Sequence, residues 1–222
     1  MELEGLKINF LGDSITQGVG ASSEHTVYHA VLKKEVKLSE ARNYGISGTR
    51  IASQIGTLDK LKNDHMSSNS FCDRFNQMDD DADVVVVFGG TNDYGHGNAS
   101  LGKFSDREPN TFYGACHYLF SGLIKKYLRK TIVIITPLHR IGETKIPEIK
   151  KNGNYGTLKD YVNIIKEVAE FYSLPVLDLY AISGLQPEIK EIQEIFVPDG
   201  LHPNDNGNAV IAYKLKSFLE QL

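Results

Sequence analysis

Short apolar runs recur along the 222-residue chain at Leu6–Leu11, Val84–Phe88, Thr131–Thr136 and Leu174–Leu179. They are nearly continuous rather than alternating, the pattern of strands covered on both faces of a parallel sheet. A weaker run, Arg42–Ile46, predicts a further strand. Helical periodicity fills the intervals. Leu158, Tyr161, Val162, Ile165, Val168, Ala169 and Tyr172 fall on one stripe, and so do Phe112, Cys116, Leu119, Phe120, Leu123 and Tyr127. Residues 27–36 and 208–222 predict two more helices. Strand and helix thus alternate, which predicts a parallel sheet with right-handed crossovers and helices on both faces. Ligands in such folds sit at the carboxyl ends of the strands, near the point where strand order reverses.

Composition narrows the function classes. With 41% hydrophobic and 23% charged residues, the chain is expected to form one domain over 1–222 with a full core. A formal net charge of −4 argues against nucleic acid as partner. Cys72 and Cys116 make no disulfide framework and lack zinc-site spacing, so both read as buried thiols. No leader pattern or membrane-length apolar run is present, and a cytoplasmic enzyme is the simplest expectation. His25 and His29 are spaced i, i+4 without a third ligand. His65, His117 and His139 share no metal spacing either. Surface or capping roles are expected for these histidines, and no metal or cofactor. The acidic run Asp79–Asp83 reads as a solvated loop.

The candidate chemistry lies in segments that follow predicted strands or lie near the C-terminus: "GDSITQG", "NYGISGTR", "FGGTNDYG" and "VPDGLHPND". Acyl transfer needs a hydroxyl nucleophile, a base such as histidine, a carboxylate to orient that base, and preset donors for the oxyanion. Asp199-Gly200-Leu201-His202 allows a tight turn that brings both side chains to one side. Pro203 holds His202 in an extended conformation, and "NDNG" offers a helix start.

These segments, in this order, resemble the four blocks of the SGNH hydrolases, the esterase and lipase group also called GDSL hydrolases. The resemblance runs from Ile8 to about Ala212. It implies a flavodoxin-like three-layer α/β/α sandwich around a five-stranded parallel sheet, and ester hydrolysis by a Ser-His-Asp triad. By the resemblance, Ser14 is the nucleophile, His202 the base and Asp199 its carboxylate. The oxyanion donors it implies are the Ser14 and Gly48 N–H groups and the Asn92 amide. Two departures stand out. Ile15 replaces the leucine of the family name, and Thr91 precedes the asparagine. The latter form is similar to a bacterial branch that includes small-ester and carbohydrate deacetylases.

Further residues have weaker readings. Asp13 and Asp93 are expected to brace their turns, with Asp13 also a candidate substrate contact. Asp178 is a rival to Asp199. The irregular stretch 94–111 is long enough to suggest function, and Tyr94, His96, Lys103 and Arg107 are candidate pocket residues. The expected activity is a serine esterase for small carboxylic esters, acetyl above all, with a soluble alcohol such as a sugar. With no Trp in the chain, any stacking on a sugar falls to Tyr or Phe. A lysophospholipase or thioesterase of the same fold is the nearest alternative. Outside catalysis, a nucleotide-binding module and a carbohydrate-binding module are the rivals. "GDSITQG" lacks a phosphate-loop lysine, and "GVGASS" lacks the last glycine of a dinucleotide fingerprint. The sequence carries no signature of oligomeric state.

Overall fold

The structure is a computed structural model that describes residues 1–54, 69–150 and 153–222; His65 lies outside the described residues. Its centre is a five-stranded, all-parallel sheet in the order β2-β1-β3-β4-β5. The strands are β1 (Lys7–Gly12), β2 (Glu40–Gly45), β3 (Val84–Phe88), β4 (Thr131–Ile135) and β5 (Val176–Leu177). The helices are α1 (Ser14–Gln17), α2 (Tyr28–Val36), α3 (Phe71–Arg74), α4 (Thr91–Gly95), α5 (Phe112–Lys126), α6 (Leu158–Phe171), α7 (Leu179–Ile182), α8 (Lys190–Phe196) and α9 (Asp205–Glu220).

All five residues of β3 are buried, as a continuous apolar run requires. Alternate side chains feed two cores. Val85, Val87, Ile132 and Ile134 pack with the stripes of α5 and α6. Phe10, Val84, Val86, Phe88 and Val133 pack under α2 and α9 on the other face. This is the expected three-layer sandwich.

Strand order reverses at β1, whose neighbours are β2 on one side and β3 on the other. The crevice outside the carboxyl ends of these three strands is therefore the expected ligand site.

Two expectations are corrected. The run Leu174–Leu179 contributes only a two-residue strand. Leu174 N–H bonds back to Ala169 O at the end of α6, and Asp178 already caps α7. Helix α9 begins at Asp205, at the start that "NDNG" offers, with the Asn204 side chain capping Gly207 N–H. His29 is a core residue, not a surface one. Its Nε2 lies 3.1 Å from Thr16 O, and burial lowers its pKa to about 4. His25 stays exposed beside Glu24.

The acidic run lies at the opposite, amino end of the strands and is paired. Asp81 meets Lys7 at 2.7 Å and Arg42 at 2.6 Å, and Asp83 meets Lys130 at 3.1 Å. Both cysteines are free and buried. Among the described residues, no helix is long and apolar enough to cross a membrane.

Candidate active site

Strand β1 ends at Gly12, and the chain turns at once into α1 with Ser14 as its first residue. Asp13 makes that turn by accepting the Ile15 N–H at 3.0 Å. The turn is packed backbone to backbone against the end of β2. A Cβ on Gly45 would lie 2.2 Å from Gln17 N, so only glycine fits there.

Ser14 Oγ lies 3.0 Å from His202 Nε2, across 188 residues of sequence. His202 Nδ1 lies 2.6 Å from Asp199 Oδ2. A carboxylate only accepts, so Nδ1 carries the ring proton and the bare Nε2 accepts from the Ser14 hydroxyl. The other carboxylate oxygen takes the backbone N–H groups of Leu201 and His202, at 2.9 and 2.6 Å. Burial pushes the Asp199 carboxyl up. The N–H and ring bonds from His202, with that of Leu201, outweigh burial and hold it below the usual carboxylate range. The turn between the two needs Gly200, whose φ is +77°. Its carbonyl accepts from Ile141 N–H at 3.0 Å, which ties the loop to the chain after β4.

The ends of β2 and β3 flank that of β1 in the sheet. Gly48 has φ +74°, and its turn is closed by Thr49 N–H on Ile46 O. Asn92, in the first turn of α4, donates from Nδ2 to Thr49 O at 3.0 Å. The donors expected for an oxyanion therefore come from the ends of three adjacent strands. Arg74 fastens the ends of β1 and β2. Its guanidinium donates to Gly12 O at 2.6 Å, to Thr49 Oγ1 at 3.2 Å and to Tyr44 O.

Buried charge surrounds this floor. Burial, opposed by the Ile15 N–H and reinforced by nearby Asp93, raises Asp13 to about 7. Burial also raises Asp93 to about 6, although its carboxylate accepts the Ala52 and Ile51 N–H groups at 2.9 Å each. Burial lowers Arg74 to about 10 against the pull of Asp13.

The model of the GDSL-like lipase/acylhydrolase family matches residues 10–210. The chain belongs to this family. A protein from Lactobacillus plantarum of known structure is 31% identical to this GDSL-family hydrolase, with TM-score 0.83 over 99% of this chain and 98% of that one. A possible lipase from Chitinophaga pinensis is 22% identical, with TM-score 0.66 over 97% and 98%. An acetyl xylan esterase is 24% identical, with TM-score 0.61 over 96% and 98%. The last two show a shared fold. No curated protein matches the sequence. Membership makes the protein an ester-bond hydrolase of the SGNH type.

The other candidate residues of this GDSL-family hydrolase are engaged by their own neighbours. The Tyr94 hydroxyl donates to Gly142 O at 2.7 Å and Lys145 O at 2.8 Å, so it anchors the chain after β4. His96 hydrogen-bonds the Asn92 side chain at 3.1 Å. Lys103 is exposed, and its backbone N–H donates to the Asp106 carboxylate. Arg107 stacks over Phe104 and Phe171, at the end of α6. Asp178 accepts from Thr136 and Lys166, which leaves Asp199 as the carboxylate on His202. The sequence reading missed Arg74. A single arginine in "FCDRF" gives no local sign that it will be buried against the ends of β1 and β2.

Proposed function

We propose that the protein hydrolyses small carboxylic esters through an acyl-enzyme on Ser14. The observation that carries this reading is the unbroken line from Ser14 Oγ through His202 to Asp199, at 3.0 and 2.6 Å. In the first step His202 Nε2 takes the hydroxyl proton as Oγ attacks the ester carbon. The carbonyl oxygen becomes an oxyanion among Ser14 N–H, Gly48 N–H and the Asn92 amide. Collapse of this intermediate breaks the bond to the alcohol oxygen, which leaves with the proton from His202. Water, deprotonated by the same ring, then releases the acid and restores Ser14. Asp199 stabilises the imidazolium in each half-reaction.

Each oxyanion donor of this kind is worth about 10²–10³ in rate. The fold shared with an acetyl xylan esterase makes acetyl groups on a sugar the first candidates. A panel of acyl chain lengths and acetylated sugars, with Ser14→Ala as the blank, tests this. The proposal expects the highest kcat/KM for acetyl esters. A preference for long acyl chains would replace this substrate class with a lipase-like one.

A further inference from the structure

The Asn92 amide is held from two directions, and one of them runs through His96. Asn92 Nδ2 donates to Thr49 O at 3.0 Å. Asn92 Oδ1 lies 3.1 Å from His96 Nε2, and His96 Nδ1 lies 2.8 Å from an Arg50 guanidinium nitrogen. A guanidinium has donors and no acceptor. His96 Nδ1 must therefore accept from Arg50. The neutral ring's proton then sits on Nε2, aimed at Asn92 Oδ1.

This fixes the amide in one orientation. Turned over, it would set its NH₂ group against the Nε2–H and its oxygen against the Thr49 carbonyl, losing both bonds. In the observed orientation one Nδ2–H is used by Thr49 and the second is left for a ligand. The backbone adds to the arrangement. His96 N–H and Gly97 N–H both donate to Asn92 O, at 3.0 and 2.9 Å. Asn92 and His96 stand at i, i+4, which puts them on one helical face. Arg50 is 7% exposed and lies two residues beyond Gly48. The chain Arg50–His96–Asn92 thus links the loop after β2 to the loop after β3.

We propose that His96, with its tautomer set by Arg50, is a positioning residue that orients the Asn92 amide toward the oxyanion. The proposal rests on the reading of Asn92 as an oxyanion donor given above. Preset donors cost no reorganisation during the reaction, which is why their orientation matters to rate. Loss of His96 removes one of two restraints on the amide. The cost is about 10-fold in kcat with KM little changed, because an oxyanion exists only after attack.

The test is a double-mutant cycle on the full chain with 4-nitrophenyl acetate. His96→Ala lowers kcat by about 10-fold in the wild-type background and has no further effect in Asn92→Ala. His96→Gln, which keeps one donor and one acceptor, restores kcat to within about threefold. An equal fall in both backgrounds, or wild-type kcat in His96→Ala, overturns the proposal while leaving the Asn92 reading intact. Wild-type kcat in Asn92→Ala overturns the Asn92 reading, and this proposal with it. A measurement on wild-type protein needs no variant to fold. Imidazole ¹⁵N spectra should show His96 neutral with its proton on Nε2, and a proton on Nδ1 overturns the proposal.

Discussion

Asp199 grips His202 at two points. One carboxylate oxygen accepts the His202 backbone N–H and the other accepts the ring Nδ1–H, both at 2.6 Å. The first bond shapes the loop and the second fixes the ring tautomer. Asp199→Asn separates the two roles. An asparagine oxygen can still accept the backbone N–H groups, but its NH₂ group opposes the Nδ1–H. The variant should keep its thermal midpoint near that of wild type and lose about 10⁴ in kcat, the scale seen when a triad carboxylate becomes an amide. Steady-state kinetics beside a thermal melt checks this. Activity within tenfold of wild type would remove Asp199 from the triad.

Gly200 places this grip. Its φ is +77°, and an added Cβ would lie 2.4 Å from Ile141 Cδ1. Gly200→Ala should destabilise the protein by about 1–3 kcal/mol through the backbone alone, with the overlap adding to it. Combining it with Ile141→Ala relieves the overlap and leaves the backbone cost. Denaturant midpoints should therefore show partial recovery in the double variant. Full recovery would mean that the left-handed conformation carries no cost here.

Asp13 should make stability depend on pH. Burial raises its folded pKa to about 7, against an ordinary value of 3.8 in the unfolded chain. Between these values the unfolded chain ionises while the folded carboxyl holds its proton. Stability from this residue is thus complete below about pH 4 and is lost as pH rises toward 7. Asp13→Asn cannot titrate and retains an acceptor for Ile15 N–H. Calorimetry at pH 4.5 and 7.5 should show Asp13→Asn gaining on wild type at the higher pH. A difference that does not change with pH would contradict this account.

The buried parts of the fold were legible because their signals are local. Four consecutive valines followed by Phe88 have no polar partner to compete for a strand, and they form β3 as expected. The stripe of α6 is equally plain, since its residues from Leu158 to Ala169 bury one face. Strand β2 was harder to read. It stands at the sheet edge, its residues are at most partly buried, and its polar sequence shows only a weak run. β5 was overread because Leu174 and Leu179 belong to the ends of neighbouring helices, which apolar content alone does not reveal. At the site, Asp199-x-x-His202 was legible only through the order of the four segments, because alone it marks no more than a tight turn. Arg74 and Arg50 were not legible, because their partners are backbone oxygens and a histidine far away in sequence. The role of His96 had one readable clue, its i, i+4 relation to Asn92.

The proposed mechanism depends on Ser14 as the nucleophile, made reactive by His202. A fluorophosphonate probe followed by mass spectrometry of the digested protein reads this reactivity at the residue itself. A single adduct is predicted on the peptide that contains Ser14, absent in Ser14→Ala and strongly slowed in His202→Ala. An adduct at another residue, or ester hydrolysis that survives in Ser14→Ala, would contradict the account.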